Sequence, residues 1–320
     1  MHKHKEETKE FVLPQRIAVA TDFSIASGLA IGWAITWAKS CHAQLYIAHV
    51  IEPAEVQGPT ELRSVVRKEV RDEAERQLGC YVDRLHHVAH EFVCLEGEVG
   101  ESLSDFVAKK GIDLLVVGSR GRRGVRRVML GSVAETIFHA VTCPVMTVGI
   151  DSANYTRPAD GVHRVLFPTD FSPDSLSALP YAASLANAHA AQLLLLHVAE
   201  PSEEQGPDEP SPEQRHFDAL ELALAEVPGL KVPPKFVCMK GYPTEAILAA
   251  ARDNIVDLLV LGIRDQKRLE LDGAKPSLSY EIVARAQCPV VTLHNFRKGL
   301  SEKLPLGNRL RLVSNRAYVN

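Results

Sequence analysis

Between Gly118 and Val133 the chain reads GSRGRRGVRRVMLGSV, which concentrates the residue types that hold phosphate. Gly118, Gly121 and Gly131 permit backbone conformations and close approaches that a Cβ would obstruct. Ser132 adds a hydroxyl where a helix should begin, so backbone N–H groups and the hydroxyl could together cradle phosphate oxygens. Arg120, Arg122, Arg123, Arg126 and Arg127 fall within eight residues. They supply a local positive field whose fitting counter-charge is a polyphosphate. Glycines and arginines alone would equally describe a solvated basic loop. Placement favours the site, because an apolar run leads in and a helical pattern leads out, as in phosphate-binding loops generally. There is no G-x-x-x-x-G-K-[ST] and no G-x-G-x-x-G after a strand, so neither the P-loop nor the dinucleotide fingerprint is present.

The elements that must position this loop alternate short apolar runs with longer segments of helical period. That is the pattern of β-α-β units feeding a mostly parallel sheet covered on both faces. Strands are expected near Ile17–Thr21, Gln44–Ile51, Glu91–Leu95, Asp113–Gly118 and Pro144–Val148. The charged amphipathic stretch Glu61 to His90 reads as one long helix on a sheet face, and Gly131 to Ala140 as a short last helix. Open parallel sheets bind ligands past the carboxyl ends of their strands, where strand order reverses. Thr21-Asp22, His49-Val50 and the glycine loop from Gly118 are the three such places. Asp22 is a hydrogen-bond acceptor at the crevice, or simply a turn or helix-capping residue.

The chain also repeats itself. RIAVATDFS from Arg16 returns as RVLFPTDFS from Arg164, and AHVIEP returns as LHVAEP, both at an offset of 148 residues. FVCLEGE/FVCMKGY and DLLVVG/DLLVLG follow at an offset of 144, and CPVMTV/CPVVTL at 145. Indels therefore sit between matched blocks, as loop and helix-end changes around a fixed core would place them. The polar stretch Asp151 to Gly161 reads as a linker. Two α/β domains are expected, each doubly wound and Rossmann-like with a five-stranded sheet: residues 14–150 and 162–295, followed by a basic tail over 296–320.

At 320 residues, 46% hydrophobic and with a formal net charge of −4, the chain has room for two cores and gives no global reason to expect nucleic acid or an anionic membrane as partner. The first ten residues are charged, and no apolar run is long enough to span a bilayer, so the cytoplasm is the expected compartment. Six cysteines without a C-x-x-C pair suggest reduced core thiols. The histidines, including His86, His87 and His90, have no metal-ligand spacing with acidic or thiol partners, and no metal ligand is assigned.

With these residues in view, the chain resembles a tandem universal stress protein. Its ATP-binding subset carries G-x2-G-x9-G-[ST], present here as Gly118, Gly121, Gly131 and Ser132 beside the T-D-F-S turn, the H-V end of the second strand and the C-P-V last strand. The resemblance implies that Ala20, Thr21 and Asp22 hold the adenosine end and that the Val50 backbone contacts adenine. It implies that Val117, Gly118 and Gly121 line the ribose and phosphates, and that Gly131, Ser132 and Val133 bind phosphate oxygens; Arg120 is placed with this group for its charge. ATP is the implied ligand, and magnesium its natural companion. The resemblance also implies an internal pseudo-dimer, with Val145–Val148 and Val290–Leu293 pairing antiparallel to cover sheet edges. Further association into a homodimer is compatible with it.

The second copy departs at the loop. Gly262 aligns with Gly118, but Asp265 stands opposite Gly121 and Pro276 opposite Gly131, and only Ser277 keeps pace with Ser132. Proline removes an N–H from the cradle, and an aspartate repels phosphate. From Ile263 to Lys275 four basic residues face three acidic ones, so the loop is nearly neutral. Asp170 persists, which leaves either a phosphate-free adenosine pocket or a cap. The leading function is ATP binding that changes conformation or partner choice in stress response or signalling. The rivals are a slow ATP hydrolase or phosphotransferase and a nucleotide-independent scaffold. Phosphoryl transfer commonly needs a group that positions the nucleophile and a metal-holding carboxylate. The loop offers arginines instead, so dedicated catalysis ranks below binding.

Overall fold

A computed structural model describes residues 13–53, 63–119, 136–137, 141, 143–149, 161–199, 211–225, 227, 229–263 and 278–294. In the first repeat the elements are β1 (Arg16–Ala20), α1 (Ile25–Cys41), β2 (Gln44–Ile51), α2 (Arg63–Gly79), β3 (His90–Glu96), α3 (Val99–Lys110), β4 (Leu114–Gly118) and β5 (Val145–Val148). The second has β6 (Arg164–Pro168), a one-turn α4 (Pro173–Leu176), α5 (Leu179–His189), β7 (Gln192–Ala199), α6 (Pro212–Ala225), β8 (Lys235–Lys240), α7 (Pro243–Asp253), β9 (Leu258–Ile263), α8 (Leu278–Arg285) and β10 (Val290–His294). The five strands of the first repeat fall within a residue of their expected bounds; four are short apolar runs buried on both faces, and β3, at the sheet edge, is half-buried or exposed along its length.

The stretch Glu61 to His90 is not one helix. It is helical over Arg63–Gly79, then turns through a 3₁₀ segment at Val82–Leu85 before β3. Glycine ends the first segment, and the shorter turn buries Leu85 and Val88 beneath the sheet edge. Thr136 and Ile137 are helical, while the rest of the expected last helix lies outside the described residues. The long first helix of repeat one corresponds to two helices in repeat two. Pro180, in the first turn of α5, cannot donate the N–H that would continue α4.

The strands form one sheet, ordered β3-β2-β1-β4-β5-β10-β9-β6-β7-β8. Every neighbouring pair is parallel except β5 with β10, where Val145, Met146 and Thr147 pair antiparallel with Thr292, Val291 and Val290. Each repeat would otherwise leave its last strand as an open edge, and the pairing removes both edges at once.

The two faces differ. On the face bearing α1 and α5, residues of both repeats form a single hydrophobic cluster that includes Trp37, Ile47, Met146, Phe167, Ala182, Leu193 and Val291. On the opposite face each repeat keeps its own cluster, around Leu103, Phe106 and Leu115 in one and around Ile247, Leu259 and Ile282 in the other. Helix α1 is apolar around its whole circumference and buried on two sides, against its own sheet and toward the other repeat. Each large apolar side chain fully buried there is worth about 1.5–3 kcal/mol relative to leaving it in water.

No helix among the described residues is long and apolar enough to cross a membrane. Five of the six cysteines are partly or fully buried, and burial pushes the Cys41 thiol up to about 11 and the Cys143 and Cys288 thiols up to about 12. Cys80 corrects the expectation of core thiols throughout: it is exposed, its thiol donating to the Arg76 carbonyl at 3.6 Å.

Candidate functional site

The order β3-β2-β1-β4-β5 reverses direction at β1, so the crevice of the first repeat opens past the ends of β1 and β4. Thr21 and Asp22 leave β1 there, and Gly118 and Ser119 leave β4. Val50 lies near the end of the adjacent β2. Ala20, Thr21, Asp22, Val50, Val117 and Gly118 are thus brought to one end of three neighbouring strands. Arg120, Gly121, Gly131, Ser132 and Val133 lie outside the described residues.

The turn after β1 is held by its own side chains. Thr21 donates its N–H to the Ala48 carbonyl at 2.8 Å, and its hydroxyl accepts from the Phe23 N–H at 3.0 Å. Asp22 Oδ1 accepts from the Ser24 N–H at 3.1 Å, which makes Asp22 an Asx-turn residue leading into the helix. Ser24 caps α1 by accepting from the Ser27 N–H at 3.3 Å, and the Thr21 and Ser27 hydroxyls share a hydrogen bond of 3.1 Å. Phe23 takes a positive φ of 61°, a left-handed conformation that costs a non-glycine residue energy and that these bonds hold in place.

His49 buttresses the turn from β2. Its buried ring bonds to the Thr21 carbonyl at 2.8 Å; the carbonyl accepts, so Nδ1 carries the proton. The ring also packs on Phe23 with centroids 4.6 Å apart. Gly118 is glycine for a steric reason, since a Cβ there would lie 2.8 Å from the Ala26 carbonyl carbon and 2.9 Å from the Ser27 nitrogen. The first turn of α1 therefore rests directly on the end of β4. This directs the N-terminal N–H groups and positive dipole end of α1 to the crevice.

Sequence reading named Asp22 and Gly118 but missed Phe23, Ser24, Ser27 and His49 as the parts that fix them. The signal was available: Phe171, Ser172, Ser175 and His197 stand at the same 148-residue offset. Repeat two builds the same turn. Thr169 accepts from Phe171 at 3.0 Å, Asp170 from Ser172 at 3.0 Å, and Ser172 from Ser175 at 3.2 Å. His197 bonds to the Thr169 carbonyl at 2.9 Å, and Phe171 has a φ of 59°. A Cβ on Gly262 would meet the Asp174 carbonyl oxygen at 2.5 Å.

In the first repeat the helix after the loop is described only at Thr136 and Ile137. In the second, α8 carries Glu281 in its first turn, bonded to Arg285 at 2.7 Å and to the Thr244 hydroxyl at 3.2 Å. Arg285 also grips Glu245 through two contacts of 2.7 and 3.0 Å, which holds the Glu245 carboxyl below the usual carboxylate range. A carboxylate in the first turn of a helix occupies the electrostatic role that a bound phosphate would take. Among the described residues no group of three or more His, Cys, Asp or Glu could hold a metal ion.

A family model described as the universal stress protein family matches residues 14–149 and again 161–294. The chain belongs to the universal stress protein family. A universal stress protein of Methanocaldococcus jannaschii is 34% identical over 143 residues, covering 42% of this chain and 82% of the relative. The universal stress protein YxiE of Bacillus subtilis is 32% identical over 144 residues, covering 42% of this chain and 97% of the relative. Over its length the tandem fold is similar to the crystal structure of a universal stress protein from Archaeoglobus fulgidus, with a TM-score of 0.66 at 21% identity, covering 88% of this chain and 98% of that one. Each single-length relative thus corresponds to about one repeat, and the tandem structure to both.

Proposed function

We propose that this universal stress protein binds ATP in its first repeat and acts in stress response or signalling through nucleotide-dependent conformation or partner binding. The observation that carries the reading is a difference between copies with the same frame. Both keep the Thr-Asp-Phe-Ser turn, the buttressing histidine and the first loop glycine, and only the first keeps Gly121, Gly131 and five clustered arginines. Features shared by both repeats have a packing reason, as the bonds around Thr21 and Thr169 attest. Features confined to one repeat ask for another reason, and a polyphosphate supplies it.

In this reading Asp22 and the Val50 backbone take the adenosine end. The loop from Gly118 carries the phosphates across the positive end of α1 toward Gly131, Ser132 and Val133. A divalent cation would arrive with the nucleotide, held mainly by its phosphates. The second repeat, with Asp265, Pro276 and Glu281 about its loop, is the structural partner in an internal pseudo-dimer.

The test is to denature purified protein, quantify released adenine nucleotide per chain, and titrate ATP into the wild type, Gly121→Asp and Asp170→Ala. The expected result is one site per chain, lost in Gly121→Asp and retained in Asp170→Ala. ATP binding that survives Gly121→Asp overturns the site, and its absence from the wild type makes the chain a nucleotide-independent scaffold.

A further inference from the structure

The seam between the repeats holds an uncommon pair. Trp37, on α1 of the first repeat, packs against His189, at the last turn of α5 in the second, with ring centroids 5.5 Å apart. Trp37 Nε1 and His189 Nε2 are both buried, and neither has a hydrogen-bond partner among the described residues. Buried polar atoms without partners are few in native proteins and call for a specific account. Here the two atoms are complementary. An indole N–H only donates, and a neutral imidazole whose proton is on Nδ1 has an acceptor at Nε2.

We propose that His189 makes the seam between the two repeats acid-sensitive: neutral, it accepts the Trp37 indole N–H through one bridging water, and protonated, it sets two N–H donors against each other inside an apolar contact.

Among the described residues no carboxylate balances the added charge, and only the carbonyl end of α5, whose last residue is His189, favours it. From α1 the ring faces Trp37, with Cys41 one turn further along the same side; from the segment entering β6 it lies near Gly161. On its own helix, two turns back, is Tyr181. The Cys41 thiol and the Tyr181 phenol are both raised by burial and remain neutral, so neither balances an imidazolium. Burial lowers the His189 pKa, and among the described residues no acidic side chain offsets it. An unfolded histidine titrates near 6.5. Below that pH the unfolded chain takes up a proton that the folded chain resists, so stability falls as pH drops through about 6.5 and levels off below the folded-state pKa.

The location gives the proton its effect. His189 occupies the position in repeat two that Cys41 holds in repeat one, so the pseudo-twofold seam carries an imidazole on one side and a thiol that stays neutral on the other. The seam is part of the one hydrophobic cluster that unites the repeats, and a charge there acts on their docking and leaves each repeat's own opposite-face cluster untouched. This inference does not depend on nucleotide binding, and its tests use protein without added nucleotide.

Three measurements on the full chain test it. The first is amide hydrogen exchange of the wild type at pH 7.5 and 5.5, corrected for intrinsic rates. Protection is expected to fall at acid pH in peptides spanning residues 33–41 and 181–189, with α3 and α7 unchanged. The second compares urea unfolding across that range with His189→Cys, which borrows the residue of the matching position. The wild-type folded-to-unfolded ratio should drop by up to about tenfold for each pH unit between 6.5 and the folded-state pKa, and the variant should lose that part of the drop. Emission from Trp37, read in a Trp33→Phe background, should change over the same pH range and cease to do so when His189→Cys is added. Unchanged protection at the seam, or a variant with the full wild-type pH response, overturns the proposal. The exchange measurement stands on the wild type alone if the variant does not fold.

Discussion

Residues 21–27 with Gly118, and residues 169–175 with Gly262, are one construction built twice, and they end in different loops. In both, a threonine, an aspartate and a serine tie a left-handed phenylalanine into the start of a helix, and a histidine from the next strand holds the turn from beneath. A motif residue found in only one copy would invite a ligand-based explanation by itself. Seeing the same bonds in a copy whose loop carries Asp265 and Pro276 shows that Asp22 and Gly118 have structural work to do regardless of ligand. The case for nucleotide rests on what the second repeat has lost.

The largest effects should come where the frame is tightest. Gly118→Ala and Gly262→Ala force a Cβ into the backbone of α1 and of α4 respectively, and each should destabilise the chain by about 2–3 kcal/mol in urea unfolding. Of the two, Gly118→Ala alone should weaken ATP binding. Equal loss of nucleotide in both would break the comparison. Thr21→Val and Thr169→Val come next, since each removes the hydroxyl that joins the turn to the helix. About 1–2 kcal/mol of stability should go in either repeat, with ATP affinity falling only for Thr21→Val.

A smaller contrast lies at the end of the third long helix in each repeat. Gly111 follows α3 with φ 60°, and Ile255 holds the matching place after α7 with φ 49°. A β-branched residue is strained there, so Ile255→Gly should stabilise the chain by about 0.5–1 kcal/mol. Gly111→Ala should destabilise it by at least as much, because a Cβ would also lie 2.8 Å from Arg16. Thermal melts that show the same sign for both substitutions would contradict the assignment. Arg285→Ala should have the least effect, at most about 1 kcal/mol and smaller in high salt, since its ion pairs with Glu245 and Glu281 are partly solvated.

Much of this was legible in the sequence, for identifiable reasons. Strands such as Leu114–Gly118 and Val145–Val148 are short apolar runs that tolerate little ambiguity when buried on both faces. The β5 to β10 pairing was foreseen through the resemblance to tandem universal stress proteins, and the exposed edges give it a physical motive. The break in Glu61 to His90 was not foreseen, because its charge pattern stays helical past Gly79 and only the burial of Leu85 and Val88 selects the turn. The fusion of two cores on one face was written in α1, whose sequence IASGLAIGWAITWAKSC has almost no polar side, but periodicity alone does not say what covers the second side. The roles of Ser27 and His49 depend on contacts between β1, α1 and β2, which spacing along the chain does not display.

Loop exchange tests the central claim most directly. Replacing residues 262–277 by residues 118–132 places the complete glycine and arginine loop on the second frame, and ATP stoichiometry is then read by equilibrium dialysis. If the frames are equivalent and the loop decides, stoichiometry rises from one to two per chain. A wild type that already binds two, or an exchanged chain that folds and still binds one, would contradict the account.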